Sequence, residues 1–423
     1  MATDATRKAA EGLLHALPLP EGEAGWARDA RAAARTRLLE AGAPIKRDEY
    51  WRFTDPTRLT APLAALAPAE SVELETTAFD GIEAVTQHFV NGQLRADLSD
   101  PMVLDGVALS SLADVLTQDI TIAREIFAKL EVASHEKVAR PLAMLNTATA
   151  TQGLVMQVTG AAPMPIHIKH TQRGEGAALT RHLIRVESGA SLTLLESGTP
   201  SNSAIEVDVA DGGTFRHLRV QTGPRTPSTA HIFARIGAEA TFQTFTLMAD
   251  GELTRNETVM ELMGDNARGH IAGAVLGGAS AHLDNTVFVT HSALSGESRQ
   301  VFKNVLSDKA TAVFQGKIFV REGAQQTDGY QISQAVVLDD GAEFLVKPEL
   351  EIYADDVKCS HGSTTGALDA DALFYLTSRG VPKRKAEAML VAAFADEAIA
   401  EIDDPRLADA MREAVAGWMD ARA

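Results

Sequence analysis

Between about residues 153 and 351 the chain alternates small-residue turns with short apolar-polar runs, and this repetition constrains its fold more than any other feature. Strand-like runs include Leu154-Val-Met-Gln-Val158, Leu192-Thr-Leu-Leu195, Ile205-Glu-Val-Asp-Val209 and Thr241-Phe-Gln-Thr-Phe-Thr-Leu247. A turn followed by a strand recurs at Ser188-Gly-Ala-Ser-Leu192, Asp211-Gly-Gly-Thr-Phe215, Ile236-Gly-Ala-Glu-Ala240, Gly277-Gly-Ala-Ser-Ala281 and Asp340-Gly-Ala-Glu-Phe344. The steps from Gly189 to Gly212 and from Gly212 to Gly237 are 23 and 25 residues, and the later ones are irregular. A period of this size belongs to a β-solenoid, in which each coil buries its inward side chains against the next. The alternative is a large β-sandwich, whose turns come about every 8 to 12 residues. The spacing favours the solenoid.

Both flanks read differently. The segment Trp26 to Glu40 is built from strong helix formers and is closed by Gly42 and Pro44. The cluster Asp48-Glu-Tyr-Trp-Arg-Phe-Thr-Asp-Pro56 concentrates aromatic residues in a chain that is only 5% aromatic, and reads as an anchor packing an arm onto the body. Asn91-Gly92 marks a hairpin, and a helical stretch is expected near Ile122 to Leu145. After Gly366 the pattern is helical. Asp369 can cap one helix that stops at Gly380, Pro382 suits the first position of the next, and Asp404-Pro405 starts a last one running to about Asp420. The chain thus divides into a helical and mixed region at 1–152, a solenoid core at 153–362 and a helical unit at 363–423.

Several function classes are set aside by composition. Lys and Arg number 39 against 57 Asp and Glu, a net charge of −18, so a groove for nucleic-acid phosphates would need strong local segregation of charge. The first thirty residues read as neither a secretory nor a transit segment, no run of about 18 apolar residues can span a membrane, and cytoplasm is the expected location. Gly316-Lys317 lacks the upstream glycine of a phosphate loop, no Gly-x-Ser-x-Gly elbow occurs, and His270, His282 and His291 do not have metalloprotease spacing. Asp339-Asp340 and Asp355-Asp356 could be imagined as the acids of a carbohydrate-cleaving solenoid, but adjacent strand residues point to opposite faces.

One cysteine, Cys359, is the only thiol among 423 residues. It excludes an intrachain disulfide framework, a CxxC redox pair and any self-contained cysteine-ligated cluster. His361 lies two residues on, so in an extended chain both side chains leave the same face and offer a thiolate and an imidazole to iron or zinc. Two ligands do not complete a site, and a buried cysteine beside a satisfied histidine is the plainer reading of the pair alone.

Longer motifs surround that pair. Pro348-x-Leu-x-Ile-x-x-Asp-Asp-Val-x-Cys-Ser-His-Gly362, Phe374-Tyr-Leu-x-Ser-Arg-Gly380, Glu49-Tyr-Trp-Arg-Phe-Thr54 and Leu145-Asn-Thr-Ala148 together resemble the SufB/SufD family of iron-sulfur cluster assembly scaffolds. The resemblance implies a mainly β fold, with a right-handed parallel β-helix core flanked by N-terminal and C-terminal helical regions. It implies a scaffold without independent catalytic turnover, paired with a SufB-type paralogue through the β-helix and holding a SufC-type ATPase on the C-terminal helices, with a homodimer expected in isolation. It also implies a transient iron-sulfur cluster or iron at the shared interface, with His361 the implicated ligand and Cys359 the family cysteine beside it. SufB members are usually longer and carry an additional core cysteine that accepts sulfur. A chain whose only thiol is Cys359 resembles the SufD side. A purely structural adaptor and a carbohydrate-active solenoid are the competing expectations.

Overall fold

A computed structural model of the protein describes residues 2–422 apart from 18, 68–71, 135–137, 175 and 224–225. From Leu154 onward each strand pairs with the strand two further along, so the chain winds between two facing parallel sheets as a solenoid of about seven turns. One sheet runs from Ile166–Thr171 through Ser191–Ser197 and Thr214–Thr222 to Lys358–Gly366, and the other from Leu154–Val158 through Leu179–Val186 to Glu343–Ile352. The interior is filled by inward residues of both walls, among them Ile184, Leu194, Val207, Phe215, Phe242, Phe302 and Phe314.

The corners explain the irregular period. Gly189, Gly212, Glu239, Asn266, Ser295 and Gln326 all hold positive φ, between 54° and 69°, and stack at steps of 23, 27, 27, 29 and 31 residues. Each donates its backbone N–H to a carbonyl of the next coil, for example Gly189 to Asp211 and Gln326 to Asp356. The turns read at Gly277 and Asp340 belong to the opposite corner, where Asp250, Ala279 and Asp308 take the left-handed conformation. The sequence spacing had therefore mixed two corners of a coil that also widens, its strands lengthening from 7 residues at Ser191–Ser197 to 10 at Asp328–Val337.

The ladders start before residue 153 and end after 362. Val85–Val90 pairs parallel with Ile166–Thr171 and folds back on Gln93–Leu94 through Asn91 and Gly92, whose φ values of 52° and 78° make the expected two-residue hairpin turn. Val107–Ser111 pairs antiparallel with Leu154–Val158. The stretch expected as helical at 122–145 is three short helices, Thr121–Ile126, Lys129–Ala133 and Pro141–Thr149, with residues 135–137 outside the described ones. Ala128 at φ 63° breaks the first from the second. There the buried Glu206 carboxylate accepts the N–H groups of Ala128, Leu130 and Glu131 while it pairs with Arg181 at 2.6 Å, satisfying donors that a continuous helix would have used internally.

The aromatic arm is an anchor. Tyr50 and Trp51 are buried on the outer face of the second sheet, where Tyr50 donates its hydroxyl to Glu349 at 2.9 Å and Trp51 lies 4.2 Å beneath the Arg255 guanidinium. Opposite, the C-terminal helices Ala370–Ser378, Lys383–Ile399 and Pro405–Asp420 follow the first sheet's outer face. Asp369 and Asp404 cap their helices as expected, whereas Pro382 stands one position before its helix, as the cap itself. Val391, Leu407, Met411 and Val415 pack on Leu218, Leu247, Leu276 and Val305. Burying each such side chain is worth roughly 1.5–3 kcal/mol.

Candidate functional site

The solenoid ends in two bare edges. Glu343–Ile352 and Lys358–Gly366 are the last strands of their sheets, each paired on one side only, and together they present 10 and 9 residues of edge. Long edges of this kind are templates for pairing with another chain. Pro348 and Lys347 interrupt the first, the two residue types that most discourage indiscriminate addition.

Cys359 and His361 both lie on the second edge strand, two residues apart and therefore on one face, roughly 6.6 Å apart along the strand axis. That face is the interior one. In register beneath them are Gly329 and Gln331, and Gln331 is fully buried. A methyl placed on Gly329 would stand 3.2 Å from the Cys359 sulfur, so the glycine makes the room in which the thiol packs, beside Ile318. Gly316 does the same for Gln331, whose amide occupies the space that a side chain on Gly316 would fill. The stack then terminates: His361 lies over Gln331 and Pro348 over Gly316, and among the described residues no further strand pairs beyond either.

The two candidate ligands differ in state. Burial pushes the half-buried Cys359 thiol above its ordinary value, a hydrogen bond from the Gly329 backbone opposes the rise, and the Asp328 charge adds to it. The thiol is therefore held protonated at neutral pH, and a metal that binds it must displace the proton. His361 is exposed, and its ring has no hydrogen-bond partner among the described residues. Among those residues no group of three or more His, Cys, Asp or Glu side chains could hold a metal ion. The arrangement can contribute a soft and a borderline ligand to a metal whose other ligands come from elsewhere.

Two further features join this end of the molecule. Helix Ala370–Ser378 buries none of its residues, and Phe374, Tyr375 and, on the next helix, Met389 stand exposed at 72%, 55% and 46%. Gln331, with its carbonyl oxygen unpartnered beneath His361, was not legible beforehand, because its place in the stack follows from coil lengths that only the folded register reveals. Among the described residues no helix is long and apolar enough to cross a membrane.

Residues 168–394 match the family model described as "SUF system FeS cluster assembly, SufBD core domain". The chain is 28% identical over 385 residues to the iron-sulfur cluster assembly protein SufD of Escherichia coli, covering 88% of each chain. It is 28% identical over 422 residues to an iron-sulfur cluster assembly SufBD family protein of Synechocystis, covering 91% of this chain and 89% of the relative. To the SufD protein of Bacillus subtilis it is 25% identical over 403 residues, covering 90% of this chain and 91% of that one.

Proposed function

Because the chain belongs to the SufBD family of iron-sulfur cluster assembly proteins, we propose that it is a non-catalytic scaffold subunit whose open solenoid end shares a nascent cluster, or its iron, with a SufB-type paralogue. The observation that carries this reading is the incomplete ligand pair: one thiol and one exposed imidazole share a face of a strand whose outer edge is unpaired. Cluster iron takes four ligands, inorganic sulfide included, so the protein ligands that His361 and Cys359 do not supply must come from a second chain. The two edges can continue into that chain by strand addition, which would bring its side chains over Cys359 and His361. Iron and sulfide are cargo here, and the protein's work is to hold them between chains and release them.

The C-terminal helices serve in this reading as the seat of a SufC-type ATPase. Phe374, Tyr375 and Met389 supply an exposed apolar contact, and Lys383, Arg384 and Lys385 flank it with positive charge. A single reduced thiol suits a reducing compartment, and we assign the protein to the cytoplasm on that ground.

The test is reconstitution with the paralogue and the ATPase. His361→Ala is expected to lower the cluster assembly rate at least about tenfold with the complex intact, since removing a metal ligand or its support commonly costs 10- to 100-fold. An unchanged rate for both His361→Ala and Cys359→Ser would remove the ligand assignment. The exposed aromatic patch also favours a second reading, a purely structural adaptor. It expects both variants to be silent, and truncation after Gly366 to abolish ATPase binding.

A further inference from the structure

The outer face of the first sheet carries polar rows among its apolar contacts with the C-terminal helices. Lys303, only 2% exposed, sends its ammonium to the Glu397 carboxylate of helix Lys383–Ile399 and to the Gln334 carbonyl oxygen, and lies 4.7 Å from the centre of the Phe394 ring. Gln334 then donates its amide to the Thr364 hydroxyl at 3.1 Å. Lys303, Gln334 and Thr364 are in-register neighbours on the last three strands of the sheet, so the row runs from the helix to the edge strand that carries Cys359 and His361. A second row starts four residues on, just past the end of that helix. Glu401 accepts from Arg299 at 2.8 Å, and Arg299 stacks 4.8 Å from the centre of the Tyr330 ring, the register neighbour of Ser360. His361 falls between the two rows' ends, Ser360 and Thr364.

A buried ammonium is a poor choice if attachment is the whole purpose, since an apolar side chain of similar size usually stabilises such a position as well or better. What the charge adds is direction: it fixes the Gln334 amide so that its carbonyl faces Lys303 and its N–H faces Thr364. The edge strand is otherwise held on one side only and is exposed along nearly all its length. We infer that Lys303 and Gln334 are positioning residues, through which the seating of the C-terminal helices sets the placement of the strand bearing Cys359 and His361. This rests on the reading of that strand as the shared site. Coupling of this kind is reciprocal, so whatever pairs with the edge strand must also bear on the helix.

The sole thiol makes the test direct. In the full chain, without metal or partner, the rate of Cys359 modification by a disulfide reagent and the amide exchange of residues 358–366 are measured for Lys303→Met and Gln334→Leu. Both variants are expected to raise thiol reactivity about fivefold or more and to speed exchange in 358–366 about tenfold, with exchange in Thr214–Thr222 unchanged. Lys303→Arg is expected to return the thiol rate to within about twofold of the parent. Wild-type values in both variants, or an effect of Lys303→Met with Gln334→Leu silent, would overturn the inference. Should Lys303→Met fail to fold, Gln334→Leu decides alone, because it removes only a partly exposed amide and leaves the Lys303–Glu397 ion pair in place. The readout uses no metal, so loss of cluster assembly in His361→Ala and loss of this coupling are separable results.

Discussion

The two ends of the solenoid solve the same problem in opposite ways. At its start the parallel ladders are stopped by short antiparallel strands, Gln93–Leu94 with 2 residues and Val107–Ser111 with 5. Short, reversed edge strands offer little for another chain to pair with. At its finish the ladders stop on strands of 10 and 9 residues that run parallel to the rest and have no further strand beside them among the described residues. The early coils are also tied to the flanking helices by fully buried ionic groups, while charges on the last coil sit at the surface. One end of the ladders is closed off and the other is left open, and the difference can be broken at several points.

The largest effect belongs to the early coils. Glu206→Ala removes the partner of the buried Arg181 and strands three backbone N–H groups that the carboxylate satisfies. Loss of one member of a buried pair costs about 3–5 kcal/mol. Glu351→Ala on the last coil breaks a 2.6 Å bridge to Lys317, but both groups are partly exposed, and the expected cost is at most about 1 kcal/mol. Urea denaturation of the two variants measures the contrast, and equal losses would erase the distinction between the ends.

Acid should act on the same buried core. Burial lowers the imidazoles of His182 to about 3, and of His167 and His291 to about 4, from an ordinary value of 6.5. As pH falls below 6.5 the unfolded chain takes up these protons while the folded one does not. Stability is therefore full above that point and declines toward pH 4. At pH 5 each histidine accounts for a loss of about 2 kcal/mol. In His291→Gln, which can keep the hydrogen bond to Ser298, the fall in unfolding free energy between pH 7 and pH 5 should shrink by about that amount. A fall as large as the parent's would show that His291 is not among the groups responsible.

How much of this was legible beforehand follows the range of the forces involved. The hairpin at Asn91-Gly92, the caps at Asp369 and Asp404 and the pairing of Cys359 with His361 on one strand face are local, set by backbone preferences within a few residues, and all could be read directly. The coil could be seen but not measured, since turns from its two corners fall in one series and its length grows from 23 to 31 residues. Everything that depends on that length was hidden. Gln331 under His361 and the row from Lys303 to Thr364 are brought together by register across about 30 residues, Gly316 meets Gln331 across the interior and Glu397 meets Lys303 by helix packing, and no spacing in the sequence announces them.

A comparably small change in stability is expected at one of the two candidate ligands. Cys359→Ser replaces one half-buried sulfur that packs over Gly329 and beside Ile318, near a strand edge where neighbours can adjust. The expected cost is below about 1 kcal/mol, since little apolar area is removed from a site that water already reaches. The same change removes the chain's only thiolate ligand. Iron or zinc binding at the paired edge should weaken strongly in a variant whose thermal midpoint differs from the parent's by no more than about 1–2 °C. A much larger fall in the midpoint would mean that Cys359 belongs to the folding core and that the open end contributes more to stability than its exposure implies.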